Sequence, residues 1–292
     1  MTIRRLDEGT INRIAAGEVV ERPASAVKEL VENAIDAGAK RIDVTLENGG
    51  KGLIRVEDDG CGMSPADLAL SLERHATSKL PDGDAGDNLF RITSLGFRGE
   101  ALPSIGAVSK MIITTRTADA PEASTLTVAG GVAGDMRPAA GTGGTRIEVR
   151  DLFYATPARL KFLKSERAEM MAVSDTLKRL AMAHARIAFS LTNDGRQNFS
   201  VPAETGDAGR LNRLSAIMGR AFGENAVPVL AERDTLRLNG FAGLPTFNHA
   251  TAQKQYLVVN GRPVRDKLLN GAVRGAYQDF LASNRHPALA LF

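Results

Sequence analysis

Residues 29–36 read Glu29-Leu30-Val31-Glu32-Asn33-Ala34-Ile35-Asp36, and a short apolar stretch later leads into Asp58-Asp59-Gly60-Cys61-Gly62. On an α-helix, at about 100° per residue, Glu29, Asn33 and Asp36 fall within one narrow polar stripe. The apolar residues between them lie on the opposite side, where they would face a core. Such a stripe beside a strand-end aspartate and two glycines could build a magnesium nucleotide site. A solvated helix face followed by an ordinary turn explains the same pattern.

The whole chain has the composition of an ordinary globular protein. Its 292 residues suit two domains, and 43% hydrophobic with 24% charged residues can supply a core to each. The single cysteine, Cys61, excludes a disulfide framework and a cysteine-based zinc site. The N-terminus lacks the apolar core of a signal peptide, and no apolar run reaches the roughly 18 residues of a membrane span. We therefore expect a cytoplasmic protein.

Charge is distributed unevenly along the chain. Residues 205–292 contain 11 Lys/Arg against 6 Asp/Glu, whereas residues 1–204 contain 26 against 28. The C-terminal part is therefore net basic and the N-terminal part close to neutral. This asymmetry favours a polyanion contact through the C-terminal part, although a surface with scattered charge accounts for the count equally well.

The spacing of apolar and breaker residues predicts an α+β chain. Pro23 is placed to open, and Gly38 to close, the helix that carries Glu29. Period-two alternation predicts antiparallel strands, because the connections are too short for helical crossovers. In the first part of the chain these strands are residues 42–46, 53–57, 111–116, 124–129, 145–150, 187–192 and 197–201, with a long helix near 165–185.

A change of composition divides the chain. Residues 202–209 are poor in large apolar side chains and predict a linker, so we place the two domains at 1–204 and 205–292. Beyond the linker we predict helices near 210–220 and 265–281 and strands near 227–230, 236–242 and 256–259. Residues 81–88 are polar and glycine-rich, which is typical of a plain surface loop or of a lid beside a binding site.

Several common motifs are absent from the sequence. The P-loop pattern G-x-x-x-x-G-K-[ST] does not occur, and neither do G-x-G-x-x-G and G-x-S-x-G. The four histidines lie far apart and show no metal-ligand spacing. Residues 96–102 place two glycines and an arginine before a predicted helix, where free backbone N–H groups favour phosphate. Residues 58–63 combine a carboxylate, glycines that permit close approach and a methionine suited to a flat ring. Either segment alone is also explained by an ordinary capping loop or turn.

In combination and in this order, the segments resemble the GHKL ATPases with the Bergerat nucleotide-binding fold, and within them the MutL family of DNA mismatch repair. The segments that carry the resemblance are 14–23 (IAAGEVVERP), 28–39 (KELVENAIDAGA), 58–62 (DDGCG), 74–79 (RHATSK), 96–102 (GFRGEAL), 144–145 (GT), 152–159 (LFYATPAR) and 259–262 (VNGR). They span essentially the whole chain. One departure is Ala155, where many members carry asparagine.

The resemblance implies a role for each residue of the candidate site. Glu29 is expected to be the general base that activates water for attack on the γ-phosphate of ATP, and Asn33 the Mg²⁺ ligand. Asp58 is expected to accept a hydrogen bond from the adenine amino group, supported by Thr145.

Further residues are implied to complete the nucleotide site. Asp36 would support it from the same helix face, and Gly62 and Met63 would lie against the base. Thr77, Ser78 and Lys79 would belong to a lid segment. The phosphates would be wrapped by the loop Gly96, Phe97, Arg98, Gly99 and Glu100.

For the rest of the chain, the resemblance implies a Bergerat-type ATPase α/β sandwich followed by a truncated ribosomal protein S5 domain 2-like α/β unit. Tentative DNA-backbone contacts in that unit are Arg262, Arg265, Lys267 and Arg274. The family continues past Phe292 with a strand and a lysine that reaches the γ-phosphate. We therefore expect an N-terminal fragment with an incomplete second domain, which binds ATP better than it hydrolyses it.

Three functional hypotheses remain at this stage. The first is an ATP-dependent switch of mismatch repair that self-associates on binding ATP, binds DNA nonspecifically and couples the mismatch-recognition protein MutS to a downstream nuclease or helicase. The second is a nucleotide- and DNA-binding module with little or no turnover. The third is another GHKL relative, such as a type II topoisomerase subunit or an Hsp90-type chaperone, which the mismatch-repair motifs disfavour.

Overall fold

In a computed structural model of the chain, the structure describes residues 7–80 and 94–292. They form two compact units, the first drawn from Met1–Leu177 and Phe189–Ser200 and the second from Lys178–Ala188 and Val201–Phe292. The predicted domain boundary between residues 204 and 205 stays a prediction. The predicted loop or lid at residues 81–88 lies outside the described residues. No helix within the described ranges combines the length and the apolar composition that a membrane span requires.

Helices and one large sheet make up the first unit. The helices are α1 (Glu8–Val19), α2 (Pro23–Asp36), α3 (Pro65–Leu70), α4 (Ala101–Val108), α5 (Pro157–Leu160) and α6 (Glu166–Ala183). The strands are β1 (Arg41–Glu47), β2 (Leu53–Asp58), β3 (Lys110–Arg116), β4 (Ala123–Ala129), β5 (Val132–Ala133), β6 (Arg137–Ala139), β7 (Gly144–Arg150), β8 (Ala188–Asn193) and β9 (Arg196–Val201). From Lys178 onward α6 belongs to the second unit.

The sheet of the first unit has nine strands in the order β5-β4-β3-β7-β2-β1-β8-β9, with β6 paired to β4. The strands predicted at 42–46 and 53–57 are confirmed as β1 and β2, which form an antiparallel hairpin with Val44 opposite Val56. β2 and β3 both pair antiparallel with β7, so strands that are distant in the sequence lie next to each other. This arrangement brings the end of β2 beside the start of β7.

Helix α2 packs one apolar side into the core and ends as the sequence predicts. Val27, Leu30 and Val31 are buried. Pro23 occupies the first turn, where a missing N–H leaves no bond unmade. The helix ends at Asp36, and the positive φ of Gly38, 75°, turns the chain toward β1. The polar stripe of α2 therefore lies on the other side of the helix from Val27 and Val31.

The second unit contains α7 (Gly206–Met218), α8 (Arg220–Asn225) and α9 (Lys267–Ala276), together with β10 (Ala226–Arg233), β11 (Leu236–Gly243), β12 (Asn248–His249), β13 (Gln255–Val259), β14 (Arg262–Val264), β15 (His286–Pro287) and β16 (Leu289–Leu291). Its main sheet has the order β10-β11-β16-β13-β14, and β16 runs parallel to β13. The linker prediction for residues 202–209 was wrong at its end. Helix α7 begins at Gly206, because breaker-rich composition does not prevent a first helical turn.

A buried arginine holds the second unit together. Leu214 and Phe222 form its core with Phe241 and Ala290. Beside this core, the Arg213 side chain is only 1% exposed, and its guanidinium donates to the backbone carbonyls of Ala181, Ala185, Ile187 and Pro202. Burial lowers the pKa of Arg213 to about 10, so the group stays charged at neutral pH. One side chain thus satisfies carbonyl groups from the end of α6 and from the segments that follow it.

Candidate functional site

The polar stripe of α2 forms one wall of the candidate site. Glu29, Asn33 and Asp36 lie along one narrow stripe of the helix, on the other side from Val27 and Val31. The Glu29 side chain is 30% exposed, whereas the Asp36 side chain is only 8% exposed. Glu29 is therefore accessible to solvent, while Asp36 is enclosed by other groups.

Asp36 is enclosed because it fastens a distant loop to the helix. Its Oδ1 accepts the backbone N–H of Leu95 at 2.8 Å, and its Oδ2 accepts that of Gly96 at 3.0 Å. Charge-assisted bonds of this kind are stronger than bonds between neutral groups. The glycine loop at 96–100 is thereby anchored to the C-terminal end of α2.

A single lysine ammonium bridges two side-chain oxygens of the stripe. Lys79 Nζ lies 2.6 Å from Asn33 Oδ1 and 2.6 Å from Asp36 Oδ2. A side chain at position 96 would crowd this group, because a Cβ there would lie 3.3 Å from Lys79 Nζ. The two oxygens therefore already coordinate one cationic group, which fits the donor set of a Mg²⁺ site. Within residues 7–80 and 94–292 there is no cluster of three His, Cys, Asp or Glu that could hold a metal. Any metal here would therefore need ligands from a bound phosphate or water.

The candidate base Glu29 has a basic neighbour. Lys28 Nζ lies 3.0 Å from Glu29 Oε1 and 2.9 Å from Glu32 Oε2, and Glu32 is buried. Burial alone would lower the pKa of Lys28, but the hydrogen bond to Glu32 and the two carboxylate charges raise it above its usual value. Lys28 therefore stays protonated and pairs with Glu29.

Asp58 lies at the end of β2, directly opposite Thr145 on β7. Its Oδ1 accepts the backbone N–H of Gly60 at 2.8 Å. Burial raises the pKa of Asp58 from 3.8 to about 6, although the backbone N–H groups of Gly60 and Thr145 oppose that shift. The turn after β2 is tied to the end of α2, because Ala37 O accepts the N–H of Cys61 at 3.0 Å. The turn that follows Asp58 is therefore joined to the C-terminal end of the helix that carries the polar stripe.

A buried threonine links the residues around Asp58. Thr115, on β3, is 2% exposed. Its hydroxyl lies 3.0 Å from Thr145 Oγ1 and accepts the N–H of Met63 at 2.9 Å. Gly62 precedes Met63 with φ of 69°, and a Cβ there would lie 2.2 Å from the carbonyl oxygen of Arg116, so only glycine fits. The positions of Gly62, Met63 and Thr145 are therefore set by β3.

The loop 96–100 leads into the eight-residue helix α4. Glu100 precedes the helix, and its carbonyl oxygen accepts the N–H of Ser104 at 3.1 Å. Gly99 O accepts the N–H of His75 at 3.2 Å, which joins this loop to the segment that holds Thr77 and Ser78. Arg98 is exposed and lies over the Phe97 ring at 5.7 Å.

Thr77 and Ser78 precede the lysine that binds the stripe. The Thr77 hydroxyl accepts the N–H of Lys79 at 3.1 Å, and Ser78 is exposed. The predicted residues Thr77 to Lys79 and Gly96 to Glu100 are therefore adjacent in space, and they meet the α2 stripe at Lys79 and Gly96.

The four basic residues predicted to contact DNA lie on one segment of the second unit. Arg262 begins β14, Arg265 follows that strand, and Lys267 begins α9. Arg274 lies in the last turn of α9 and donates to the carbonyl oxygen of Ser283 at 3.1 Å. Arg265, Lys267 and Arg274 are exposed, and Arg262 is half-buried.

Known protein families match both parts of the chain. Residues 21–131 match the family described as "Histidine kinase-, DNA gyrase B-, and HSP90-like ATPase". Residues 214–292 match the family described as "DNA mismatch repair protein, C-terminal domain". The MutL proteins of Paramagnetospirillum magneticum and Rhodospirillum rubrum are each 60% identical to this chain over its full length. The chain belongs to the MutL family of DNA mismatch repair proteins.

The chain spans about half the length of these MutL relatives, 48% and 46% respectively. Among solved structures, the ATPase domain of Aquifex aeolicus MutL complexed with ADP matches with a TM-score of 0.69 and 27% identity, covering 94% of this chain and 92% of that one. The N-terminal domain of a DNA repair protein matches with a TM-score of 0.77 and 26% identity, covering 96% and 86%. The predicted fold, a GHKL ATPase unit followed by an S5-like unit, is confirmed.

Sequence reasoning missed three residues of this MutL-family site. Lys28 lies in the segment 28–39, but the resemblance assigns it no role, and Thr115 is found only through the pairing of β3 with β7. Leu95 contributes a backbone N–H, which no side-chain pattern can reveal. The predicted loop residues began at Gly96. They therefore omitted Leu95, whose N–H also binds Asp36.

Proposed function

We propose that this chain is an ATP-binding and ATP-hydrolysing region that serves as a switch in DNA mismatch repair. The reaction is the hydrolysis of ATP to ADP and phosphate, with water as the nucleophile. Membership of the MutL family supports this proposal, and so does the adjacency of the α2 stripe to the glycine loop.

The observation that carries the proposal is that Asn33 and Asp36 together bind the ammonium of Lys79. A neutral amide oxygen and a carboxylate oxygen lie 2.6 Å from one ammonium, beside Gly96, where a Cβ would crowd that ammonium. Hard oxygen donors of this kind suit Mg²⁺, which characteristically takes only one or two protein ligands when phosphates supply others. When bound, Mg²⁺ would neutralise charge that develops on the phosphates.

The adenine end of the site is assigned to Asp58 and its neighbours. The Asp58 carboxylate accepts the backbone N–H groups of Gly60 and Thr145, and its remaining lone pairs can accept an exocyclic amino group. Thr145 and Thr115 hold the surrounding backbone in place, and Met63 supplies a polarizable side chain that suits a flat ring. This donor and acceptor pattern favours adenine over guanine, which presents a carbonyl at the corresponding position.

The phosphate end is assigned to Glu29 and to the loop 96–100. Glu29 is the accessible carboxylate of the stripe and serves as general base toward the attacking water. The glycine loop presents backbone N–H groups and Arg98 before helix α4, whose N-terminal end favours negative charge.

The cellular role that we propose extends beyond the nucleotide site. ATP binding promotes association of two such regions, and the basic segment around Arg265 contacts the DNA backbone. MutS and a downstream nuclease or helicase are the protein partners. Support for these assignments comes from membership of the MutL family and from the excess of positive charge after residue 205.

Binding and turnover should be measured separately to test the proposal. ATP affinity is measured by calorimetry with Mg²⁺ and with a chelator, and phosphate release is followed on the same protein. Saturable Mg²⁺-dependent binding with slow phosphate release supports the switch. Binding without any release supports the alternative, a nucleotide-binding module. Absence of ATP binding under both conditions refutes the assignment.

A further inference from the structure

The ammonium of Lys79 lies between two side-chain oxygens of the α2 stripe, that of the expected metal ligand Asn33 and that of Asp36. It lies 2.6 Å from both Asn33 Oδ1 and Asp36 Oδ2. We infer that Lys79 is a resident counter-ion of the metal site, which excludes divalent cations until nucleotide arrives and is then displaced from Asn33. This inference rests on the proposed function, because it assigns a regulatory role within the same site.

Charge balance explains why a cation is held there in the absence of ligand. The Asp36 side chain is only 8% exposed, and a carboxylate so enclosed requires compensation by a positive charge or by hydrogen bonds. The N–H groups of Leu95 and Gly96 supply two hydrogen bonds, and Lys79 supplies the full charge. Lys79 therefore stabilises the site when no metal is bound.

Charge repulsion sets Lys79 and a divalent cation against each other at Asn33. The amide of Asn33 has one acceptor oxygen, and the ammonium already lies against it at 2.6 Å. A metal ligated at about 2.1 Å from the same oxygen would lie on the order of 4 Å from the ammonium, where the two like charges repel. A metal alone must therefore displace Lys79, whereas a metal that arrives with ATP brings phosphate charge to which the lysine can move.

Displacement requires little rearrangement of the backbone. Asp36 stays bonded to Leu95 and Gly96 after the lysine leaves, so α2 and the loop keep their positions. The backbone of Lys79 is held by the Thr77 hydroxyl at 3.1 Å, while its side chain has a flexible four-carbon stem. Only the side chain has to swing.

The test measures metal binding without nucleotide, with Mn²⁺ as the probe and electron paramagnetic resonance to count the free ion. Lys79→Met removes the ammonium but keeps the length of the stem. We expect the Mn²⁺ affinity of Lys79→Met to exceed that of the wild type by about tenfold or more, because the competing charge is gone. Lys79→Arg retains a cation and should bind Mn²⁺ as weakly as the wild type. Lys161→Met, an exposed lysine of the same unit, is the matched control and should leave Mn²⁺ affinity unchanged.

A second variant and a thermal unfolding measurement show whether a change in metal affinity is due to misfolding. Lys79→Gln keeps a neutral donor toward Asn33 and should also gain Mn²⁺ affinity. In thermal unfolding without nucleotide, Mg²⁺ should raise the midpoint of Lys79→Met or Lys79→Gln and leave that of the wild type unchanged. Equal Mn²⁺ affinity in the wild type and in both neutral variants overturns the inference and leaves Lys79 as a structural support for the loop.

Different results would contradict the counter-ion role of Lys79 and the nucleotide site. If the wild type binds Mg²⁺ and ATP but the neutral variants gain no metal affinity, the counter-ion role is wrong and the nucleotide site stands. If no protein binds ATP while the neutral variants still gain Mn²⁺ affinity, the lysine does exclude cations but the nucleotide assignment is wrong.

Discussion

Asp58 lies directly opposite Thr145 where β2 pairs with β7, and its Oδ1 accepts the N–H of Gly60 at 2.8 Å. The carboxylate accepts the backbone N–H groups of Gly60 and Thr145 and keeps further lone pairs for a ligand, in surroundings that raise its pKa to about 6. Asp58 can therefore recognise adenine, but its ionised carboxylate lowers the free energy of unfolding.

Asp58→Asn should stabilise the protein and abolish adenine recognition. In the folded state the pKa of Asp58 is raised above the unfolded value of 3.8, so the ionised carboxylate opposes folding. The unfavourable contribution is absent below about pH 4, grows as the pH rises from about 4 to about 6, and amounts to roughly 3 kcal/mol at neutral pH. The variant should exceed the wild type in the free energy of unfolding by about that amount at pH 7 and match it near pH 4. Denaturant titrations at both pH values check this expectation.

The same variant should lose at least tenfold in ATP affinity. The asparagine oxygen is needed by the N–H of Gly60, so its amide nitrogen would face the adenine amino group, and two donors would oppose each other. In the wild type, ATP affinity should fall as pH decreases below about 6, because protonation removes the carboxylate acceptor. Calorimetry between pH 5 and 8 measures this dependence. An affinity that is flat over that range, or retained by Asp58→Asn, contradicts the assignment.

Glu29→Gln should keep ATP binding and lose turnover. The amide retains the shape of the side chain but cannot accept a proton from water, and removal of a general base typically slows a reaction by about 10²–10⁴-fold. Phosphate release and calorimetric binding are measured on the same preparations. Glu21→Gln, an exposed glutamate of the same unit, is the control and should retain wild-type turnover. Equal turnover in Glu29→Gln and the wild type would remove Glu29 from the base role.

Thr115→Val should weaken both the fold and the site. The substitution keeps the β-branched shape but deletes the hydroxyl that bonds Thr145 and the N–H of Met63, and it leaves those groups partly unsatisfied. We expect a loss of about 1–3 kcal/mol in the free energy of unfolding, together with lower ATP affinity. Thr127→Val, at an exposed position of β4, makes the same chemical change without burial and should be nearly neutral. Comparable unfolding curves for the two variants would show that the Thr115 hydroxyl adds nothing.

Arg213→Met should destabilise the second unit severely. Methionine fills part of the volume but leaves the carbonyl oxygens of Ala181, Ala185, Ile187 and Pro202 without their shared donor. We expect a loss of about 3 kcal/mol or more, measured by denaturant unfolding.

The control for Arg213 is Arg220→Met. Arg220 pairs with Glu224 on an exposed helix face, and such pairs contribute about 0.5 kcal/mol or less. A small effect at both arginines would show that water replaces the guanidinium of Arg213 without loss.

Arg265→Glu should weaken DNA binding and flatten its dependence on salt. Loss of one phosphate contact reduces the slope of log affinity against log salt concentration by about one. Arg233→Glu makes the same charge change on the exposed end of β10 and controls for net charge. Fluorescence anisotropy with duplex DNA at several salt concentrations measures both slopes. If the two variants show the same slope, the contact is a general charge effect rather than a site at Arg265.

Residue patterns over short stretches of sequence were sufficient to predict the helix that carries the site and the two strands that follow it. Pro23, Gly38 and the apolar spacing of α2 act over a few residues, so their effect can be calculated without knowledge of the rest of the fold. The alternation of β1 and β2 around a glycine turn is local in the same sense. The identities of Glu29, Asn33 and Asp58 then sufficed, with the other motifs, to indicate the family.

Contacts between distant segments could not be predicted in this way. Lys79 meets Asn33 across 46 residues, and Asp36 binds Leu95 across 59. Thr115 joins the site only because β3 and β2 both pair with β7. Residue spacing specifies which side of its own element a side chain occupies, but not which other element packs against that side. The choice among possible strand neighbours depends on burial of the whole sheet. The position of the Lys79 ammonium between Asn33 and Asp36 is a consequence of that packing.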